Sequence, residues 1–269
     1  MLRNEGDKLT RVVVCSPSIE YFNYKNRILH NITQPADKNK AIQQHNSLKS
    51  ILEKSGCEVI DVPELKDHPN SVFTRDACLC TPAGYIKLRM GLNTRIGEEI
   101  WMSQTLNSLE EPEYASIKEP GTAEGGDIIL AGSVVFVGLS KRTNKQGVKQ
   151  ISNLLNTLGY EVRAITVPSP YLHIGGAMSV IDPKKILCCK NVFPHNFFYG
   201  FNKIEVSFNT FVSGNVICVG NNEIIADISN MEVIDKLKQI GVYVHTIDLS
   251  EFVKGTGGPS CLIMPVERK

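Results

Sequence analysis

Two local patterns alternate along this chain, and together they leave few folds open. In the first, apolar residues at helical spacing end at a glycine and a short strand follows: "LKSILEKSGCEVIDVPEL" (48–65), "ISNLLNTLGYEVRAITVPSP" (151–170) and "IDKLKQIGVYVHTIDLSEF" (234–252). A glycine in that place takes the left-handed conformation that ends a helix. In the second, two β-rich arms flank a Gly, Pro or Asn turn: "CLCTPAGYIKLRM" (78–90), "DIILAGSVVFVGLS" (127–140), "MSVIDPKKILCCK" (178–190) and "NVICVGNNEIIAD" (215–227). Such arms and turns specify hairpins. "RVVVCSP" (11–17) reads as half of a fifth hairpin whose partner lies elsewhere. Hairpin, helix and strand thus recur about every 40–50 residues, a period of propellers and repeat arrays. The expected fold is α/β, a closed ring of such units around a central channel. The length of 269 residues is ample for it, and no Ser-, Pro- or Gly-rich linker divides the chain, so residues 1–269 are expected to be one domain.

Charge excludes several classes of partner. Lys+Arg 29 against Asp+Glu 28 gives a net charge of +1, which favours neither nucleic acid nor an anionic membrane surface. No apolar run has the length of a membrane span, and "MLRNEGDKLTRVVVCSP" lacks the apolar core of a signal peptide. A soluble, cytoplasmic protein is expected. Cys15, Cys57, Cys188, Cys189 and Cys218 lie in apolar runs, as reduced core thiols do. No paired CxxC and no HxxxH occur, which argues against structural zinc. Cys261 differs, because it closes the glycine-rich "KGTGGPSC" near the C-terminus.

The segments that follow the repeated strands carry the chemistry. They are "DHPNSVFTRD", "YLHIGGAM" and "KGTGGPSC", with "EPGTAEGGD" directly before the second hairpin. If the units are related by rotation, these segments share one end of the ring and bring together Asp76, Glu124, His173 and Cys261. A thiolate is a strong nucleophile, and a histidine beside it can move a proton near neutral pH. A Cys/His hydrolase orients its histidine with a single acid or amide. Two acids suggest a cationic electrophile such as a guanidinium, which carboxylates match with paired charge-assisted hydrogen bonds. The bound cation would also favour the thiolate. Singly, each residue has a plainer use: a histidine on an apolar strand is ordinarily a satisfied core residue, "EGGD" can be a turn, and Asp76 can pair with Arg75 or Lys87 at the surface.

Over nearly its whole length the chain resembles the guanidino-group-modifying enzymes: arginine deiminases, dimethylarginine dimethylaminohydrolases (DDAH) and amidinotransferases. "PNSVFTRD" (69–76) and "GGPSC" (257–261) look like arginine deiminase segments. "FVGLSKRTNKQG" (136–147) looks like the dimethylarginine hydrolase segment, and "EGGD" (124–127) and the "LH" of "LHIGG" (172–176) fit the superfamily at large. The resemblance implies a five-bladed α/β propeller (pentein) of ββαβ repeats around a central channel. It implies Cys261 as nucleophile, His173 as general acid/base, and Asp76 and Glu124 as guanidinium-binding acids. It further places Phe73 against the guanidinium, Arg95 and Arg142 on the substrate α-carboxylate, and Asn70 at the amino-acid head. The implied reaction runs through a covalent thiouronium on Cys261 and needs no metal or organic cofactor. The expected partner is a small guanidino substrate, with neither nucleic acid nor membrane, and homo-oligomer formation stays open.

Departures from the pattern bear on the substrate. Deiminases and amidinotransferases carry an acid two residues after the catalytic histidine; here that place is Gly175, and dimethylarginine hydrolases also lack the acid. A missing acid leaves fewer acceptors for an unmodified guanidinium and more room for alkyl groups, so N-methylated arginine is the expected substrate. Against this, Arg75 stands where animal dimethylarginine hydrolases carry an acid, and "HIGG" lacks their lysine. Arginine deiminase, a related guanidino hydrolase or an amidinotransferase is therefore the alternative. A ribosome anti-association-type binding protein on the same ring is the non-enzymatic one. The polar stretch 19–45 reads either as a lid or as a surface connection.

Overall fold

The computed structural model describes residues 2–269, and the two sequence patterns assemble into five three-stranded sheets. The first unit holds β1 (Leu9–Cys15), α1 (Lys38–Lys54) and β2 (Glu58–Val62). The second holds β3 (Cys78–Thr81), β4 (Gly84–Lys87), α2 (Glu98–Ser108) and β5 (Glu113–Ser116). The third holds β6 (Ile128–Ala131), β7 (Val134–Leu139), α3 (Lys145–Thr157) and β8 (Glu161–Thr166). The fourth holds β9 (Met178–Asp182), β10 (Lys185–Cys189) and β11 (Asn202–Val206). The fifth holds β12 (Ile217–Gly220), β13 (Glu223–Asp227), α4 (Met231–Gln239) and β14 (Tyr243–Ile247). After the short α5 (Ser250–Val253), β15 (Met264–Arg268) returns to pair antiparallel with β1 and supplies the arm that the first unit lacks. In each sheet the middle strand is antiparallel to one neighbour and parallel to the strand that ends the unit.

Burial orders the strands radially. β3, β6 and β12 are buried at every position, and β9 and β15 at all but one, whereas β2, β5 and β8 have no buried residue at all. The buried strands pack on one another, β15 on β3, β6 on β9 and β9 on β12, and so form the inner wall of the ring. Residues 2–8 lie across this wall: Glu5 N–H donates to the Leu130 carbonyl, Cys218 Sγ donates to the Gly6 carbonyl, and Asn4 is buried. Among the described residues no helix is long and apolar enough to cross a membrane.

The helix exits explain what the sequence shows and hides. α1, α3 and α4 end in a glycine with positive φ, Gly56 (82°), Gly159 (83°) and Gly241 (80°). The next N–H then bonds back to the helix, Cys57 to Leu52, Tyr160 to Leu155 and Val242 to Leu237, which is the Schellman arrangement. α2 ends in the same way, with Glu111 N–H on the Leu106 carbonyl, but the left-handed residue is Glu110 (φ 63°). With no glycine there, α2 escapes the pattern.

The expected ββαβ unit also fails once. The fourth unit has no α-helix between β10 and β11. Phe193, Phe197, Phe198 and Phe201 fill that place, and the last three ring-pack on Phe136 of β7 with centroids 5.2, 5.2 and 5.7 Å away. Aromatic area takes over the burial that a helix gives the other units. Of the stretch 19–45, residues from Lys38 onward are already α1, capped by Asp37 on Lys40 N–H at 2.8 Å. If the aromatic cluster holds the fourth unit in place, Phe198→Ala will lower the unfolding free energy by about 3 kcal/mol, a typical buried Phe→Ala loss. Urea denaturation checks this, and a loss below about 1 kcal/mol would show the cluster to be dispensable.

Candidate active site

Each inner strand is entered through a tight turn, and the chemistry-bearing side chains sit on those turns. The same backbone bond closes four of them: Asp127 N–H to Glu124 O, Gly176 N–H to His173 O, Asn215 N–H to Val212 O, and Cys261 N–H to Gly258 O. Glu124 and His173 thus occupy equivalent places, and Asp127, Asn215 and Cys261 occupy the other. Asp76 ends the corresponding turn before β3. The structure brings Asp76, Glu124 and His173 within 4.8 Å of one another, and His173 and Cys261 line one cavity.

Around His173 the contacts are dense. Its Nε2 meets Glu124 Oε2 at 2.8 Å and its Nδ1 lies 4.0 Å from Asp76 Oδ1. Asp76 Oδ1 accepts Gly126 N–H at 2.9 Å. Gly126 allows this approach, since a Cβ there would lie 2.6 Å from His173 Nδ1. Asp127 Oδ1 accepts Ile174 N–H at 3.0 Å and its Oδ2 takes the Ser140 hydroxyl at 2.6 Å, fixing the histidine's backbone.

Arg95 and Arg142 are both paired with carboxylates of the site. Arg95 donates to Asp76 Oδ2 at 2.6 Å, to Glu98 Oε2 at 2.7 Å and to the Phe73 carbonyl at 3.0 Å. Arg142 donates to both oxygens of Glu124, at 3.1 and 2.9 Å. With Gly91 N–H on Oε1 and His173 on Oε2, the four acceptor directions of Glu124 are filled. Asp76 has two free. Asp76 can therefore accept further hydrogen bonds, while Glu124 is fully engaged, one of its contacts being His173. The trio Asp76, Glu124 and His173 has the span of a metal site. Its ligand directions are largely taken, however, since both Glu124 oxygens and His173 Nε2 are already hydrogen-bonded.

The remaining expected contacts lie just outside. Phe73 is buried against the loop before Cys261, where a Cβ on Gly257 would come within 2.2 Å of its ring. The glycines of "GTGGPSC" thus make room for Phe73, and Gly258 for Asn215, rather than for ligand directly. Asn70 is buried with its Oδ1 unpartnered. The stretch 26–33 straps the mouth: Thr94 Oγ1 donates to Leu29 O beside Arg95, and Thr33 N–H donates to Lys254 O on the Cys261 side. Residues unforeseen in the sequence are Asp127 and Asn215, which bond to other turns, and Glu98 at the start of α2, which pairs with Arg95 three residues before it; only the equivalence of the turns could have pointed to the first two.

Protonation follows from burial and charge. Burial alone would lower the His173 pKa, but Asp76 and Asp127 nearby and the Glu124 hydrogen bond outweigh it and raise it to about 8. Burial opposes ionisation of Glu124, yet Arg142, His173 and Arg95 hold it well below the usual carboxylate range. Burial raises Asp127 to about 6 and Glu98 to about 7. Burial, then the Asp76 charge, pushes the Cys261 thiol up to about 11, against the Gly258 N–H and the charges of Arg75 and Arg95. At neutral pH the site rests as thiol plus imidazolium.

The cavity itself is mostly apolar. Ile129, Leu172, Gly175, Phe211 and Val212 line it beside Cys261 and His173, with Arg75, Asn215, Thr256 and Ser260 as its other polar side chains, and its free volume of about 20 Å³ is room for a single water.

A family model described as N,N dimethylarginine dimethylhydrolase, eukaryotic, matches residues 19–268. The N(G),N(G)-dimethylarginine dimethylaminohydrolase of Pseudomonas aeruginosa is 29% identical over 223 residues, which is 83% of this chain and 87% of that protein. The solved structure of a cysteine-to-serine mutant of that bacterium's enzyme, complexed with citrulline, superposes with a TM-score of 0.84 at 25% identity over 96% of this chain and 99% of its own. The N-terminal domain of a cyanobacterial arginine dihydrolase, bound to product, has a TM-score of 0.85 at 20% identity over 97% and 98% of the two chains, which shows a shared fold. The resting thiol state is directly measurable. Without ligand, Cys261 alkylation by iodoacetamide will climb about tenfold per pH unit between pH 7 and 10, because only thiolate reacts; a plateau reached below pH 8 would contradict the resting thiol.

Proposed function

The chain belongs to the N,N dimethylarginine dimethylhydrolase family and is a hydrolase acting on guanidino C–N bonds, and from that premise we propose that it converts N-omega-methylated arginine, dimethylarginine first, to citrulline and dimethylamine. That membership sets aside the non-enzymatic binding reading. The carrying observation is the wall of the cavity at Cys261. Where an unmodified guanidinium would need acceptors for its terminal N–H groups, Gly175, Ile129, Leu172, Phe211 and Val212 offer apolar surface. Unpaired N–H donors are costly in such a place, and methyl groups are not. Leu172 and Phe211 are half-buried at the rim and must shift to admit two methyl groups.

The steps balance as follows. The guanidinium binds against Asp76, and its charge favours loss of the Cys261 proton to solvent. The thiolate adds to the guanidinium carbon. His173, as imidazolium held by Glu124, gives its proton to the dimethylamino nitrogen, the C–N bond breaks and dimethylamine leaves. A thiouronium on Cys261 remains. Neutral His173 takes a proton from water, whose oxygen adds to the same carbon. The C–S bond then breaks, the added hydroxyl gives its proton to solvent, and citrulline and the thiolate are released beside a His173 that is again imidazolium. Arg95 and Arg142 must exchange part of their present contacts if they are to hold the substrate carboxylate.

Plain arginine is the second reading. Arg75 favours it, because a buried arginine stands in this cavity where animal dimethylarginine hydrolases carry an acid. A substrate panel of dimethylarginine, monomethylarginine, arginine, agmatine and citrulline, assayed for amine, ammonia and ureido product, decides between them. Dimethylarginine is expected to give the highest kcat/KM, and the Cys261→Ser variant none; turnover of arginine alone would reject the methylarginine assignment. Placing an acid in the cavity supplies a second check. A Cβ at Gly175 lies 3.0 Å from the Gly126 carbonyl, tight but tolerable. Gly175→Asp should cut the preference for dimethylarginine over arginine by at least about tenfold, the scale of a lost or gained polar match. An unchanged ratio would remove Gly175 as the determinant.

A further inference from the structure

Asn215 has no part in the steps above, yet its side chain joins the His173 turn to the Cys261 turn. It is buried, 1% exposed, at the place equivalent to Cys261 in the fifth unit's entry turn. Its Nδ2 donates to the Gly175 carbonyl at 2.8 Å and to Ser260 Oγ at 2.7 Å. Its Oδ1 accepts the Ser260 N–H at 2.9 Å, one residue before Cys261. The partners settle which end of the amide is which, since a carbonyl requires the NH₂ end and an N–H requires the oxygen. Two glycines permit the contact: a Cβ on Gly258 would meet Asn215 Oδ1 at 2.7 Å, and one on Gly214 would meet the Ala177 carbonyl carbon at 2.3 Å. The Asn215 turn is itself tied to the histidine turn by Gly214 N–H on the Gly176 carbonyl at 2.9 Å.

We propose that Asn215 is a positioning residue that sets the distance between Cys261 and His173, so that attack and proton delivery fall on the same guanidinium carbon and its leaving nitrogen. The roles of Cys261 and His173 are those of the reading above, on which this rests. An amide is the suitable group: it serves a donor and an acceptor at once without placing a charge beside the thiol. Loss of the clamp removes the side-chain bonds that tie the Cys261 turn to the His173 turn, and displacement of a reacting group by about 1 Å costs about a hundredfold in rate.

The experiment compares wild type, Asn215→Ala, Asn215→Asp and Ser260→Ala with dimethylarginine, reading kcat, KM, the pH profile and the melting temperature. Asn215→Ala should lower kcat by about 30-fold or more and change KM by less than about threefold, because it misplaces reacting groups and touches no substrate. Ser260→Ala keeps the backbone bond to Oδ1 and should lose less than about threefold. Asn215→Asp keeps the acceptor, cannot donate to Gly175 and brings a charge beside the thiol; its kcat/KM profile should shift up by about one pH unit on the acid side. A folded Asn215→Ala with kcat within twofold of wild type overturns the proposal, as does an Asn215→Asp profile that superposes on wild type. If Asn215→Ala does not fold, Asn215→Asp decides. If wild type turns over no guanidino compound, the functional reading fails by itself. The clamp is then read from iodoacetamide alkylation of Cys261, which Asn215→Ala should speed at least about threefold, an unchanged rate rejecting it.

Discussion

The pairing of β15 with β1 closes the ring, and the site depends on that closure. The chain's last strand occupies the inner-wall place that the first unit leaves empty, with Val12 opposite Pro265 and Val13 opposite Met264, all four buried. Arg268 fastens the end by donating to the carbonyls of Asp7 and Cys218. Cys261 stands three residues before this strand, so the register of β15 against β1 sets where the thiol arrives beside the turns of the second, third and fourth units. A thiol near a chain terminus is thereby held as firmly as one in mid-sequence.

Within the closed ring, charge decides what each group can do. A buried carboxylate is tolerable only with partners, and here the partners are arginines of the same chain. Glu124 is saturated by Arg142, Gly91 and His173, which leaves it an orienting role; Asp76, with acceptor directions to spare, faces both histidine and thiol. Burial holds Cys261 protonated, helped by Asp76, which also helps to hold His173 protonated. In the proposed reaction the positive charge of the substrate is what would favour the thiolate.

Much of this was legible in the sequence, for physical reasons. Hairpin turns and glycine helix ends have strict backbone demands, so Gly56, Gly159 and Gly241 announce their units, while Glu110, doing the same task without glycine, does not. The aromatic fourth unit has no helical period to detect. The split first unit was read as a half because its other arm lies some 250 residues away, in a short strand containing Pro265. Among site residues, Asp76, Glu124, His173 and Cys261 follow from the position of their segments after repeated strands. Asn215 and Asp127 do not stand out, since a polar residue in a turn ordinarily serves that turn; their bonds to Ser260, Gly175 and Ile174 exist only once the ring has closed. The arginines were expected at a substrate carboxylate, and pairing with Asp76 and Glu124 could not be read from spacing alone.

The central claim is that Cys261 carries the substrate carbon through a covalent stage. Acid-quenching the protein during turnover of dimethylarginine, followed by digestion and mass spectrometry of the peptide containing Cys261, tests it most directly. A thiouronium adduct that has already lost dimethylamine should be found on Cys261 during turnover and should disappear once dimethylarginine is exhausted. Steady product formation with Cys261 unmodified, or an adduct on another cysteine, would contradict it.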